Sequence, residues 1–341
     1  MILFMKENNV VIYQIFVRNY SEEGTFTAIE KDLNRIKDLG VDIIYLMPIH
    51  EIGVLNRKGN YGSPYAIKDY YSISCDLGDL ASLKSLINKV HELDMKIILD
   101  MVFNHTSLDN ILTTTHPEYY YYKNGKRGNR VGDWSDIVDL DTTREDTQDY
   151  LVNVLKYWIS VGFDGFRFDV SSMIDIALFK KARKVLGDSP IFFGECIDKE
   201  FAKYLLSINS PYMDDLSSMQ YFDYLYNYNY IKDFFRFLKG EESLDKVEVL
   251  INSDDPNIVR VHCLENHDLD RFASYFENIE DMKYWVNYIY NLKGPAFIYM
   301  GQEYGISHKP ELFEKDPVDW ILNQDIYNFY KDLNKKKRFT H

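Results

Sequence analysis

The chain has 341 residues, 46% hydrophobic and 27% charged, a composition of an ordinary folded protein rather than a disordered or fibrous one. Net charge is 39 − 53 = −14, which argues against nucleic acid or an anionic membrane as partner. Three widely spaced cysteines (Cys75, Cys196, Cys263) form neither a disulfide framework nor a metal-binding cluster. The apolar runs fall far short of the ~20 residues that cross a bilayer, and the first residues lack the pattern of a cleavable leader. A cytoplasmic protein is therefore expected. The 28 tyrosines fit a large core, or a surface on which flat rings pack against sugars.

Strand-like and helix-like segments alternate along the chain. Val10–Val17 is a continuous apolar run, as in a strand buried on both faces. Thr27–Leu39 carries apolar residues at helical spacing and stops at Gly40. Val41–Met47 predicts a second strand, Leu80–Leu93 a helix and Lys96–Phe103 a third strand. The rhythm breaks over His105–Asp141, a polar stretch without a period, read as an inserted subdomain (105–141). Regularity returns with helix Arg144–Val161, strand Gly165–Asp169, helix Ile176–Leu186 and strand Ile191–Glu195. Further strands are expected at Met219–Tyr224, Ile258–Glu265 and Pro295–Met300, with helices at Ile279–Leu292 and Val318–Lys337. Eight strand–helix units predict an α/β fold, a closed (β/α)8 TIM barrel formed by residues 1–104 and 142–341.

In such a barrel the site lies where the C-terminal strand ends meet. Asp100, Asn104 and His105 close strand three, Arg167 and Asp169 strand four, Glu195 strand five, and Glu265, Asn266, His267 and Asp268 strand seven. Each has an ordinary structural explanation: Arg167 and Asp169 share a strand face and suit a salt bridge, and the histidines suit a hydrogen-bonded core. Three carboxylates at three strand ends of one barrel, attended by Arg and two His, point instead to a shared polar cavity. Two carboxylates flanking one bond, one charged and one protonated, are the minimal apparatus for glycosidic cleavage. Arg167 is expected to keep Asp169 ionised, and Glu195, if less well paired, to keep its proton.

These segments resemble the α-amylase family, glycoside hydrolase family 13. Its four motif regions stand in order at Asp100–His105, Gly165–Asp169, Gly194–Glu195 and Glu265–Asp268, joined by GVDIIYLMPI, GSPYAIKDYY and GPAFIYMGQE. The resemblance implies a retaining glycosidase acting on α-1,4-linked glucans through a covalent glycosyl-enzyme. It makes Asp169 the nucleophile, Glu195 the acid/base and Asp268 the transition-state stabiliser, with Tyr65, Asn104, His105, Arg167, His267 and Arg271 binding substrate. Ser172 and Met173 replace the family's usual Lys-His pair on the acceptor side. No cofactor is required. Calcium stays open, because Asn104 is present but no run of oxygen ligands accompanies it, among the acidic residues Asp109, Glu118, Asp133, Asp136, Asp139 and Asp141, and YSEEGTF stands where some members carry a calcium loop. The family's C-terminal β-sandwich is not expected within these residues, and pairing with a second copy through the barrel surface it would cover is expected. The alternatives are a 4-α-glucanotransferase using the same intermediate and a catalytically silent amylase-like binding subunit.

Overall fold

The computed structural model describes residues 9–132, 134–208, 210 and 212–338. Eight parallel strands form one sheet: β1 (Val11–Ile15), β2 (Ile43–Leu46), β3 (Lys96–Met101), β4 (Gly165–Phe168), β5 (Ile191–Gly194), β6 (Tyr224–Tyr226), β7 (Arg260–Val261) and β8 (Ala296–Tyr299). The spatial order 7-6-5-4-3-2-1-8 is that of a barrel, and a parallel bridge between His262 and Ala296 joins β7 to β8. At this seam Gly294, with φ +125°, lies so close to β7 that a Cβ would stand 2.2 Å from the carbonyl oxygen of Arg260. The expected α/β TIM barrel is the fold observed.

The strands are buried on both faces because the inner face fills the barrel and the outer face meets the helices. Inside, Tyr45 of β2 touches Phe193 of β5 and Phe297 of β8, and Tyr226 of β6 touches both phenylalanines. Outside, α1 (Phe26–Asp38) buries Ile29, Leu33 and Ile36 at helical spacing, and Thr25 caps it by accepting from the Ala28 N–H. Helix α2 (Leu80–Glu92) starts with a reciprocal cap between Asp79 and Ser82. Helix α3 (Glu145–Val161) buries Leu151, Val154, Leu155 and Trp158. The circuit continues with α4 (Ile176–Leu186), α5 (Lys199–Ser207), α6 (Ile231–Leu238), α7 (Ile279–Tyr290) and α8 (Gln324–Lys337).

The sixth strand lies later than predicted. The apolar letters of Met219–Tyr224 follow a helical turn, Asp215–Ser218, nucleated by the Asp214 side chain accepting from the Ser217 N–H. Sheet bonding begins only where the Asp223 N–H meets the Phe192 carbonyl. The seventh strand is shorter than predicted, since the chain beyond Val261 turns to bond the side chain of Asn227 through the Cys263 N–H. Asn323 caps α8, so that helix begins at Gln324 rather than at Val318. Segment 105–141 has small structure of its own. His105–Ser107 pairs antiparallel with Ile137–Asp139, and a hairpin joins Tyr122–Lys123 to Lys126–Arg127 through Asn124 and Gly125, both at positive φ.

Candidate active site

The strand ends of β3, β4, β5 and the segment after β7 deliver one connected polar cluster. Its centre is Arg167, fully buried on β4. Nη1 donates to Asp100 Oδ1 at 2.8 Å and to Asp169 Oδ1 at 3.0 Å, and Nη2 lies 2.8 Å from Glu195 Oε2 in an ion-pair contact without hydrogen-bond alignment. One guanidinium thus faces three carboxylates. A buried charge must be compensated nearby, and here a single cation does it for a surplus of anions.

Arg167 does not hold the Asp169 carboxyl low as expected from the sequence: burial pushes it well above the usual carboxylate range, and the nearby Glu195 pushes it further, against the pull of Arg167. Burial raises Glu195 as well, with Arg167 pulling it down and Asp268 pushing it up. Two carboxyl groups that repel each other in a dry site hold a proton between them. Glu195 is better partnered than the sequence suggested: Oε2 also accepts from the Val170 N–H at 2.7 Å. Oε1 is thereby left to carry a proton. Val170 adopts a left-handed conformation, φ 36° and ψ 47°, which is strained for a β-branched residue.

The opposite wall is a chain of hydrogen bonds. Gln14 Nε2 donates to His267 Nδ1 at 2.9 Å, which puts the imidazole proton on Nε2. That Nε2 lies 2.7 Å from the Tyr65 hydroxyl and 3.1 Å from Asp268 Oδ2. Tyr65 in turn donates to Asp100 Oδ2 at 3.0 Å, as does Tyr45 at 2.6 Å, and its ring stacks on His267 at 5.1 Å. Asp268 is the open member, its side chain 53% exposed. Partial burial raises it, but the hydrogen bond from His267 and the charges of Arg167 and Lys309 outweigh that and hold it below the usual carboxylate range. Asn266 shapes the turn that presents it, its Oδ1 accepting from the N–H groups of Asp268 and Leu269.

His105 is buried and contacts Asn104, whose Nδ2 is 3.2 Å from His105 Nδ1. Burial lowers its pKa to about 4, so it is neutral at pH 7. Asn104 faces the insert, accepting from the Leu140 N–H through its carbonyl, while its Oδ1 has no hydrogen-bond partner. Of the insert's acidic residues, Asp109 accepts from the Val54 N–H, Asp136 pairs with Lys58, and Asp139 and Asp141 face Arg130. Asp133 lies outside the described residues. Among the described residues no three His, Cys, Asp or Glu side chains gather as a metal site.

Arg271 stands apart from this cluster. It is buried, its Nη1 donating to Glu265 Oε1 at 2.7 Å and to the Met300 carbonyl at 2.9 Å, its Nε to the His308 carbonyl, and its face lies on Tyr299. These bonds brace the β7 and β8 ends, while its Nη2 has no hydrogen-bond partner. Two neighbours were missed by sequence reasoning. Tyr228, stacked on Tyr226 and accepting from Asn266 Nδ2, went unseen because the sixth strand was placed too early. Trp134, 37% exposed, leans on His105 from within the aperiodic insert.

The catalytic domain of the Alpha-amylase family matches residues 6–135 and 130–192. The chain belongs to the α-amylase family. It is accordingly a glycoside hydrolase of family 13. An α-amylase from Lactobacillus plantarum, seen in a crystal structure, is 37% identical, with a TM-score of 0.93 over 97% of this chain and 80% of that one. Alpha-amylase 3 of Dictyoglomus thermophilum is 26% identical over 92% of this chain and 67% of its own length. The Cyclomaltodextrinase of Thermoanaerobacter pseudethanolicus is 27% identical over 92% of this chain, which spans only 57% of that relative. Among the described residues of this family member no helix is long and apolar enough to cross a membrane.

Proposed function

We propose that this family member hydrolyses α-1,4 bonds of maltooligosaccharides with retention, through a covalent glycosyl-enzyme. The observation that carries this reading is the placement of two buried carboxyl groups, Asp169 and Glu195, on the two terminal nitrogens of one guanidinium, where the pair can hold a single proton. In the proposed reaction Glu195 Oε1 protonates the glycosidic oxygen as Asp169 attacks the anomeric carbon. The C–O bond to the leaving sugar breaks and an ester to Asp169 forms. Glu195, now ionised, takes a proton from water as that water attacks the same carbon, and Asp169 leaves as carboxylate. Retention calls for carboxyl groups about 5–5.5 Å apart.

The remaining residues have supporting parts. Asp268, ionised and open to the cleft, faces positive charge developing on the sugar ring. Neutral His105 and the Nε2–H of His267 suit sugar hydroxyls, and Tyr65 suits the floor beneath the ring. Relatives named alpha-amylase and cyclomaltodextrinase support an α-glucan as substrate. A 4-α-glucanotransferase would use the same intermediate with a sugar hydroxyl in place of water.

Product profiling of maltoheptaose tests this. Only shorter sugars are expected, with or without chelator; products longer than the substrate would establish transfer instead. Asp169→Asn should lower kcat by at least about 10,000-fold while the protein stays folded. A variant that retains activity removes Asp169 as nucleophile.

A further inference from the structure

One side chain of the insert is built as a surface and goes unused in the proposed reaction. Trp134 is 37% exposed, although leaving a large apolar ring in water sacrifices the gain that burial would bring. The ring is nevertheless held. Gly132, at φ +81°, runs so close beneath the indole that a Cβ there would meet three ring atoms at 3.1–3.3 Å. Asn129 Nδ2 donates to the Trp134 carbonyl at 2.8 Å. The next residues are tied to the segment after β2: Asn56 Nδ2 donates to the Ser135 carbonyl at 3.0 Å, and Lys58 Nζ is 2.8 Å from Asp136 Oδ1. Braced from two sides, the indole stands against His105, ring centroids 6.3 Å apart and planes at 39°.

A glucose ring presents a face of C–H groups that a rigid aromatic surface covers well. His105 belongs to the wall at which the cleaved sugar is proposed to sit, so the exposed indole beside it lies in reach of the adjoining unit. We propose that Trp134 is a stacking platform for the glucose next to the cleaved one, and so a determinant of which α-glucan chains bind productively. This rests on the function proposed above.

The test separates the two. Binding of maltoheptaose to the full-length Asp169→Asn protein is measured by calorimetry with and without Trp134→Ala, and thermal melting checks folding. A Kd about tenfold weaker without the indole, about 1.4 kcal/mol, is expected. Trp134→Phe should restore most of that affinity, and in the otherwise wild-type enzyme the loss should fall on KM far more than on kcat. Equal binding with and without Trp134 overturns the platform. Binding that depends on Trp134 in a protein that cleaves no α-glucan upholds the platform and removes the hydrolase reading. No binding to either protein removes both.

Discussion

Two buried arginines close the C-terminal end of this barrel, and they differ in charge balance. Arg271 meets one carboxylate, Glu265, whose two oxygens are both spent, one on the arginine and one on the Phe272 N–H at 2.6 Å. Arg167 meets three carboxylates, and the side chains of two of them, Asp169 and Glu195, stay 11% and 9% exposed. A one-to-one pair whose carboxylate has both oxygens taken is a brace. A three-to-one cluster with an oxygen left to carry a proton can do chemistry. In the sequence Arg167 lies within the motif Gly165–Asp169 and Arg271 just after Glu265–Asp268, and both are expected at the substrate; stoichiometry and accessibility set them apart.

The sharpest way to break the comparison is to neutralise each arginine. Arg167→Met leaves three carboxylates without their cation, and should cost about 3–5 kcal/mol of stability and at least about 100-fold in kcat/KM. Denaturant titration and steady-state rates measure both. Arg271→Met should lose a similar 3–5 kcal/mol, because Glu265 is stranded, yet leave the kcat/KM of the folded protein unchanged. A large catalytic loss with Arg271→Met would return that residue to the substrate site.

A smaller effect separates the sealed region by pH. His262, near the barrel seam, bonds the Tyr230 hydroxyl and the Lys293 carbonyl, and burial lowers its pKa from 6.5 to about 4. A neutral buried histidine contributes stability that is present above pH 6.5 and is lost as pH falls toward 4, since the unfolded chain takes the proton first. Burial raises Asp139 to about 6, which acts in the opposite direction below that pH. The histidine contribution is therefore read as a difference between wild type and His262→Gln. The gap in urea-derived stability should shrink by on the order of 3 kcal/mol between pH 7 and pH 4. A gap that does not change with pH contradicts the assignment.

The same contrast explains what the sequence carried. Barrel strands buried on both faces appear as apolar runs, and helices such as α1 as a stripe of Ile29, Leu33 and Ile36, so their order and the carboxylates at their ends were legible. Asp169, Glu195 and Asp268 could be singled out as a group because the strand ends of one barrel converge, and the family resemblance assigned their roles. The sixth strand was misplaced because an apolar run of a few residues has no period to distinguish strand from turn, and Tyr228 was lost with it. Trp134 was invisible because its position depends on Gly132, Asn129 and a neighbouring loop rather than on any repeat. The pairing of Glu195 with the Val170 N–H depends on one left-handed residue, and an ordinary valine gives no sign of it.

The central claim is that Asp169 and Glu195 act as a nucleophile and an acid/base in a double displacement. Proton NMR of maltoheptaose hydrolysis, recorded in the first minutes before mutarotation, tests it most directly. The account predicts that the new reducing ends appear first as the α-anomer. First appearance of the β-anomer would contradict it, and would require Asp169 to activate water instead of attacking the sugar.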